Sequence, residues 1–383
     1  MSGATDAPVL FEERAAGGGA RIGIATLNAP KTLNGLSLEM VDLLDARLTA
    51  WAADEGIAVV VLQGAGEKAF CAGGDLHSLY RTIREHRSGD VADVLGNAYA
   101  CAFFEREYRL DYRIHTYPKP VLVWGHGIVM GGGMGLMAGA SHRVVTEKSR
   151  LAMPEISVGL FPDVGGSWVL NRLPARSGLF LALTGAPVNA ADALFAGLAD
   201  HLVEQARRDE VFAALAATEW TRTADADAAR LTAVLRAHAP ADAPAHGPLR
   251  THFDLVREAC NHASLDEAVA AIAALPPGDA WLDRARATLA AGAPGSARLA
   301  WELQRRSRLL SLADVFRLEA VVAVHCAAHG DFAEGIRALL IDKDQTPAWN
   351  PARLEAADAT WAQAYFDSPW RDGTHPLADL GRD

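Results

Sequence analysis

Along the first two hundred positions the hydrophobic pattern changes period repeatedly. Arg21 to Leu27 (RIGIATL) alternates as a strand does, after a GGG turn and a shorter strand. From Ser37 the period becomes helical. Met40, Leu44, Leu48 and Trp51 fall on one face, and Ser37 is placed to cap that helix. Ala58 to Leu62 (AVVVL) has no polar interruption and predicts a buried strand, and Val121 to Trp124 and Arg143 to Thr146 predict two more. Strands alternating with helices predict an α/β layer architecture.

After about residue 205 the strand signals stop. Ala, Leu, Arg and Asp dominate, and helical periods recur over Leu249 to Ala259 and Leu265 to Ala274. The proline-spaced run His238 to Pro248 (HAPADAPAHGP) predicts a loop. The expected organisation is therefore an α/β core over residues 1–205 and a helical region over 206–383 packed on it, with no internal repeat and no coiled coil. One stretch imitates a membrane span, because Pro120 to His142 carries no Asp, Glu, Lys or Arg. It also holds seven glycines, which disfavour a long helix, so it predicts a buried strand, a glycine turn and a buried helix.

Composition narrows the function classes. The 383 residues are half apolar, which suits a globular chain with a full core. Asp and Glu outnumber Lys and Arg by 47 to 36, and a net charge of −11 argues against sequence-independent nucleic-acid binding. Cys71, Cys101, Cys260 and Cys326 form no CxxC and are too sparse for a disulfide framework, which fits a reducing compartment. The start of the chain (MSGATDAPVLFEER) shows neither a secretory signal nor an Arg-rich presequence, so a cytoplasmic location is expected.

Candidate chemistry begins with glycine. LQGAGEKA (Leu62 to Ala69) matches GxGxxA, but FCAGGD follows where a dinucleotide-binding helix would start. The chain has no GxxxxGK[ST], no GxSxG and no HExxH, so no cofactor and no metal site is expected. Two clusters remain, AGGD (Ala72 to Asp75) and MGGGMG (Met130 to Gly135), each after a strand and before a helix. Glycine admits close backbone approach, so each turn can supply one N–H to a single oxygen as an oxyanion hole. From the glycines alone, two tight structural turns account for the pattern as well.

The carboxylates add weight. Glu155 and Asp163 sit in an otherwise apolar, Gly- and Pro-rich segment, LAMPEISVGLFPDVGG (Leu151 to Gly166). Burial there tunes a carboxyl for acid–base work, although a solvated loop or a helix cap fits the pattern equally. Glu107 falls inside the apolar stripe Ala100, Phe103, Phe104, Leu110 and Ile114 of a helix around Asn97 to Thr116. A carboxylate on that stripe needs a pocket or a partner, and Arg106, Arg109 and Arg113 are nearby candidates for an ion pair. Cys71, His77 and His126 read as structural residues beside the turns, and Trp301 and Trp349 as core or interface.

Taken together, KAFCAGGDL (Lys68 to Leu76), PKPVLVWGHGIVMGGGMGL (Pro118 to Leu136) and the MPE…FPDVGG segment resemble the crotonase (enoyl-CoA hydratase/isomerase) superfamily. FPDVGG, EREYRLDYRIHTYPKP (Glu105 to Pro120) and GDFAEGIRALLIDKDQTPAWNPARL (Gly330 to Leu354) are closer to its 3-hydroxyisobutyryl-CoA hydrolase branch, and the likeness runs from about Pro8 to Phe366. The resemblance implies a spiral of ββα repeats with a C-terminal helical part, and an acyl-CoA thioester as ligand. It implies an oxyanion hole from the N–H groups of Gly74 and Gly132, catalytic carboxyls Glu155 and Asp163, Glu107 lining the acyl pocket, and Lys31 near the CoA moiety. It implies hydrolysis of a short branched 3-hydroxyacyl-CoA in valine breakdown, with Glu155 either activating water or attacking directly. It leaves self-association open and gives no membrane or nucleic-acid partner. Where hydratases of the superfamily carry their first glutamate, two residues after the GGG, this chain has Gly135. Enoyl-CoA hydration or isomerisation remains an alternative activity, and a non-catalytic acyl-CoA binder an alternative of another class.

Overall fold

The structure, a computed structural model, describes residues 7–89, 93–371 and 373–382, so the first six residues of the stretch read for a leader lie outside it. Contacts divide the chain into two compact units, each assembled from three stretches. The first runs to Gly74 and adds Arg113–Leu151 and Val188–Arg250; the second takes Asp75–Tyr112, Ala152–Pro187 and the chain from Thr251 onward. This discontinuous division differs in kind from a cut at 205, which stays a proposal about how the sequence is organised.

The first unit is built on strands. β1 (Val9–Ala15), β2 (Arg21–Leu27), β3 (Ile57–Gly64), β5 (Val121–Gly125), β7 (His142–Val145) and β10 (His201–Leu202) form a six-stranded sheet in the order β1-β2-β3-β5-β7-β10. Only β1 runs antiparallel to its neighbour; the β2-β3, β3-β5, β5-β7 and β7-β10 pairs are parallel. Parallel strands need crossovers and covered faces, which is why β3 and β5 read as unbroken apolar runs. Ile22, Ile24, Val59, Val61, Leu122, Trp124 and Val144 form one core with Val211 and Leu215 of the Arg208–Ala217 helix and Leu231 and Leu235 of Ala224–Ala237. The helix Leu38–Ala53 starts as expected, with Ser37 Oγ accepting from Met40 N at 3.2 Å and Met40, Leu44, Leu48 and Trp51 buried.

A second sheet orders β4 (Ala69–Cys71), β6 (Ile128–Met130), β8 (Arg150–Ala152) and β9 (Val188–Asn189) as β4-β6-β8-β9. The uncharged stretch resolves into β5, β6 and the seven-residue helix Gly132–Ala138. Among the described residues no helix is long and apolar enough to cross a membrane.

The second unit is mostly helical. After β10 no described residue is in a strand, and helices follow one another as far as Phe366. The helix Leu312–Ala328 lies at its centre, with Val315, Phe316, Val322 and Cys326 buried and one carboxylate, Glu319, fully enclosed among them. The α/β class and the helical C-terminal part are both as the sequence implied.

One glycine fixes the close approach on which the first unit's turns depend. A Cβ on Gly133 would lie 2.3 Å from the carbonyl oxygen of Cys71, a backbone atom that cannot swing aside. Gly133→Ala is expected to destabilise the fold by about 3 kcal/mol, the upper end of overpacking costs, seen as a lowered thermal midpoint. An unchanged midpoint would show that β4 and this helix are not in contact as described.

Candidate active site

The two glycine turns leave neighbouring strands of the first unit. β4 and β6 pair in parallel, Ala69 opposite Ile128 and Cys71 opposite Val129, so the chain exits both at the same edge. Gly73 takes φ 112° and Gly131 φ 48°, backbone conformations that L side chains rarely adopt. Leu36 N donates to Gly73 O at 2.8 Å and bridges Leu36 to Gly74, which holds the first turn. Gly132 is the first residue of its helix, where an N–H has no intrahelical acceptor. Gly135, in the next turn of that helix, is buried. Cys71 is fully buried with its Sγ 3.6 Å from Gly73 O, and His126 Nε2 lies 3.0 Å from Gly66 O. Both behave as structural residues. His77 and Lys31 are exposed.

The carboxyls gather inside the second unit. Glu155 opens a short 3-10 turn after Pro154, is 5% exposed, and its Oε2 has no hydrogen-bond partner among the described residues. Asp163, also buried, accepts from Tyr108 Oη at 2.8 Å. Glu107 is buried on its helix (Ala98–His115) as the stripe requires. No ion pair joins Glu107 to a described residue: Arg109 pairs with Asp379 at 2.6 Å and Arg113 with Asp45 at 2.6 Å. Of the two alternatives, a pocket or an ion pair, the described residues give Glu107 no ion pair, and it lies buried near Asp163.

Their proton affinities follow from that environment. Burial, and then the nearby Asp163, push Glu107 and Glu155 well above the usual carboxyl range. Burial pushes Asp163 up to about 6, against the hydrogen bond from Tyr108, which favours the ionised form. The surroundings are aromatic: Tyr108 stacks obliquely against Phe104 and Phe316 with ring centres 5.9 Å apart in both pairs. Such a site can hold a proton on one carboxyl while another stays ionised, which acid–base chemistry at neutral pH requires.

Three members of this cluster were not singled out from the sequence. Asp111 lies four residues after Glu107 on the same buried face, is fully enclosed, and neither of its oxygens has a hydrogen-bond partner among the described residues. The i, i+4 spacing from Glu107 was the available signal. Tyr108 follows Phe104 at the same spacing. Glu319 is a charge on the helix face of Val315, Phe316 and Val322, all buried, where it was readable as an anomaly. Among the described residues no group of His, Cys, Asp and Glu is arranged to hold a metal ion.

A stability measurement checks the acid cluster. An aspartate that ionises near 6 when folded, against an ordinary 3.8, makes the folded chain the better proton binder between those values. Its contribution therefore worsens as pH rises through that window, by about 3 kcal/mol in all. Asp163→Asn removes the effect, so urea unfolding should show the variant gaining on the parent chain from pH 4 to pH 7. A difference that stays constant with pH would contradict the burial argument.

Comparison with known proteins fits this geometry. The family model for enoyl-CoA hydratase/isomerase matches residues 22–366. The chain is similar to "3-hydroxyisobutyryl-CoA hydrolase, mitochondrial" of Danio rerio, 36% identical over 96% of this chain and 91% of that one. It is similar to the Gallus gallus protein of the same name, at 37% over 91% and 86%. Among solved structures, one titled a carnitinyl-CoA dehydratase, from Mycobacterium thermoresistibile, superimposes with a TM-score of 0.82 at 35% identity, covering 96% of this chain and all of that one. These names correct one expectation: the Danio rerio and Gallus gallus relatives are mitochondrial, which overturns a cytoplasmic location. Cysteine content bears on redox state and does not specify a compartment. With the matched model spanning most of its length, the chain belongs to the enoyl-CoA hydratase/isomerase family.

Proposed function

We propose that this chain hydrolyses the thioester of 3-hydroxyisobutyryl-CoA, a short branched 3-hydroxyacyl-CoA, to the free acid and CoA, a step of valine breakdown. The observation that carries the reading is a pair of positions. Gly135 stands where a hydratase has its first glutamate, while Asp163 lies buried beside Tyr108 in the cluster that raises the proton affinity of Glu155. The names of the relatives support the same chemistry.

In this reading the N–H groups of Gly74 and Gly132 take the thioester oxygen and stabilise the negative charge that develops on it. Glu155, once ionised, either draws a proton from water as the water oxygen bonds to the carbonyl carbon, or bonds to that carbon itself to give an anhydride that water then opens. The C–S bond breaks as the carbonyl reforms, and the thiolate takes a proton. Asp163 holds the 3-hydroxyl or passes a proton, and Glu107 lines the acyl pocket. Lys31, exposed on the first unit, lies toward the CoA moiety. The scheme uses no metal and no redox cofactor. Assembly of several copies is compatible with it and not required by it.

A second reading is favoured by the titles of two solved structures, the Mycobacterium thermoresistibile dehydratase and an enoyl-CoA hydratase from Rhodobacter sphaeroides, 32% identical with a TM-score of 0.79. Glu155 with Asp163 would then add or remove water across C2–C3 and leave the thioester intact. A silent acyl-CoA binder is disfavoured, because a binder has no need of unpaired buried carboxyls, which cost stability.

The test is free-thiol release from (S)-3-hydroxyisobutyryl-CoA beside crotonyl-CoA. CoA release from the hydroxyacyl substrate alone is expected; loss of the crotonyl-CoA enoyl absorbance without thiol would install the second reading. Glu155→Gln is expected to lower kcat by about a thousandfold or more while CoA binding stays within about threefold. Loss of folding or of binding in that variant would remove Glu155 from the chemistry.

A further inference from the structure

We infer that Glu319 is a positioning residue for Asp163: its carboxylate clamps the turn that carries Asp163, and so sets where that carboxyl stands against Tyr108. The inference rests on the hydrolase reading for the meaning of Asp163, and on the geometry of the second unit for the clamp itself.

The turn is a backbone shape that does not hold itself. Val164, a β-branched residue, takes φ 52°, and Gly165 takes φ 79°. Left-handed backbone at valine is strained and persists only where its surroundings impose it. Gly166 N closes the turn onto Asp163 O at 2.6 Å. Backbone N–H groups that a turn leaves without a backbone acceptor can converge on one anion. Here the anion is a side chain: Glu319 Oε2 accepts from Gly165 N at 2.7 Å, and Oε1 accepts from Ser167 N at 2.8 Å. The same helix presses Phe316 against the turn, since a Cβ on Gly165 would lie 3.0 Å from the ring. Asp163 thus has one anchor on each side, Tyr108 at its carboxyl and Glu319 at the two N–H groups that follow.

Glu319 is otherwise expensive to keep. It is fully enclosed, and burial pushes it up to about 8 despite the bonds from Ser167 and Gly165. Asp163 faces it, and its own charge acts on Tyr108, Asp111 and Glu155. A glutamine there would fill the space with no charge, but it has one acceptor oxygen, and its NH2 would meet an N–H. The carboxylate is the group that can satisfy both N–H groups at once.

Two readouts test the clamp. In protein labelled with 13C at tyrosine Cζ, the Tyr108 signal, assigned with Tyr108→Phe, reports its bond to Asp163. Glu319→Gln should move that signal as Asp163→Asn does, and the double variant should add nothing further. In thiol release, Glu319→Gln should lower kcat by about thirtyfold with KM within about threefold, and lower it by less than about threefold in the Asp163→Asn background. Glu319→Asp, which keeps the charge on a shorter arm, should recover part of the loss, and it carries the resonance test if Glu319→Gln does not fold. A Tyr108 signal unmoved by either variant, or kcat losses that multiply in the double variant, would reduce Glu319 to a structural residue. If the parent chain released no thiol while the Tyr108 signal responded, the hydrolase reading would fall and the clamp would stand.

Discussion

The second unit is organised around a cost: several carboxyl groups buried together with no cation among the groups that act on them. Glu107, Asp111, Glu155, Asp163 and Glu319 are at most 5% exposed. An ionised carboxylate in an apolar setting is unstable unless it is paired, hydrogen-bonded or protonated. The chain uses the last two remedies. Asp163 receives the Tyr108 hydroxyl, Glu319 receives two backbone N–H groups, and burial raises the proton affinity of the others. The strained valine after Asp163, the aromatic walls of Phe104 and Phe316, and the buried face of the Ala98–His115 helix all follow from keeping these groups in place.

The first unit meets a different demand with different means. Its turns must bring backbone N–H groups forward, and backbone comes close only where side chains are missing. The parallel pairing of β4 with β6 sets both turns at one edge, and Gly133 lets the helix that follows touch the Cys71 carbonyl. Fixed dipoles at a developing negative charge need no reorganisation when it forms. Carboxyls that have lost their water, by contrast, are tuned to give or take a proton near neutrality.

Much of this was legible in the sequence, and for a consistent reason. Signals that depend on near neighbours carried through: the alternation of Arg21–Leu27, the Ser37 cap and the stripe that placed Glu107 inside. The uncharged stretch that imitated a membrane span was correctly broken at its glycines. What was missed depends on partners distant in the chain. Glu319 lies 154 residues from Gly165, and nothing local ties them. Asp111 lies four residues after Glu107 on the same buried face, but the stripe was traced through its apolar members and Glu107 alone. The compartment was misjudged because neither thiol content nor the composition of the first residues specifies where a chain resides.

Water labelled with 18O tests the central claim most directly, because it marks the carbon that is attacked. With (S)-3-hydroxyisobutyryl-CoA in labelled water, attack at the thioester puts the label in the carboxyl group of the released acid and leaves the 3-hydroxyl unlabelled. That is the result predicted here. Label in the 3-hydroxyl of an intact thioester would mean reversible loss and addition of water across C2–C3, and would contradict the assignment of this buried acid cluster to hydrolysis.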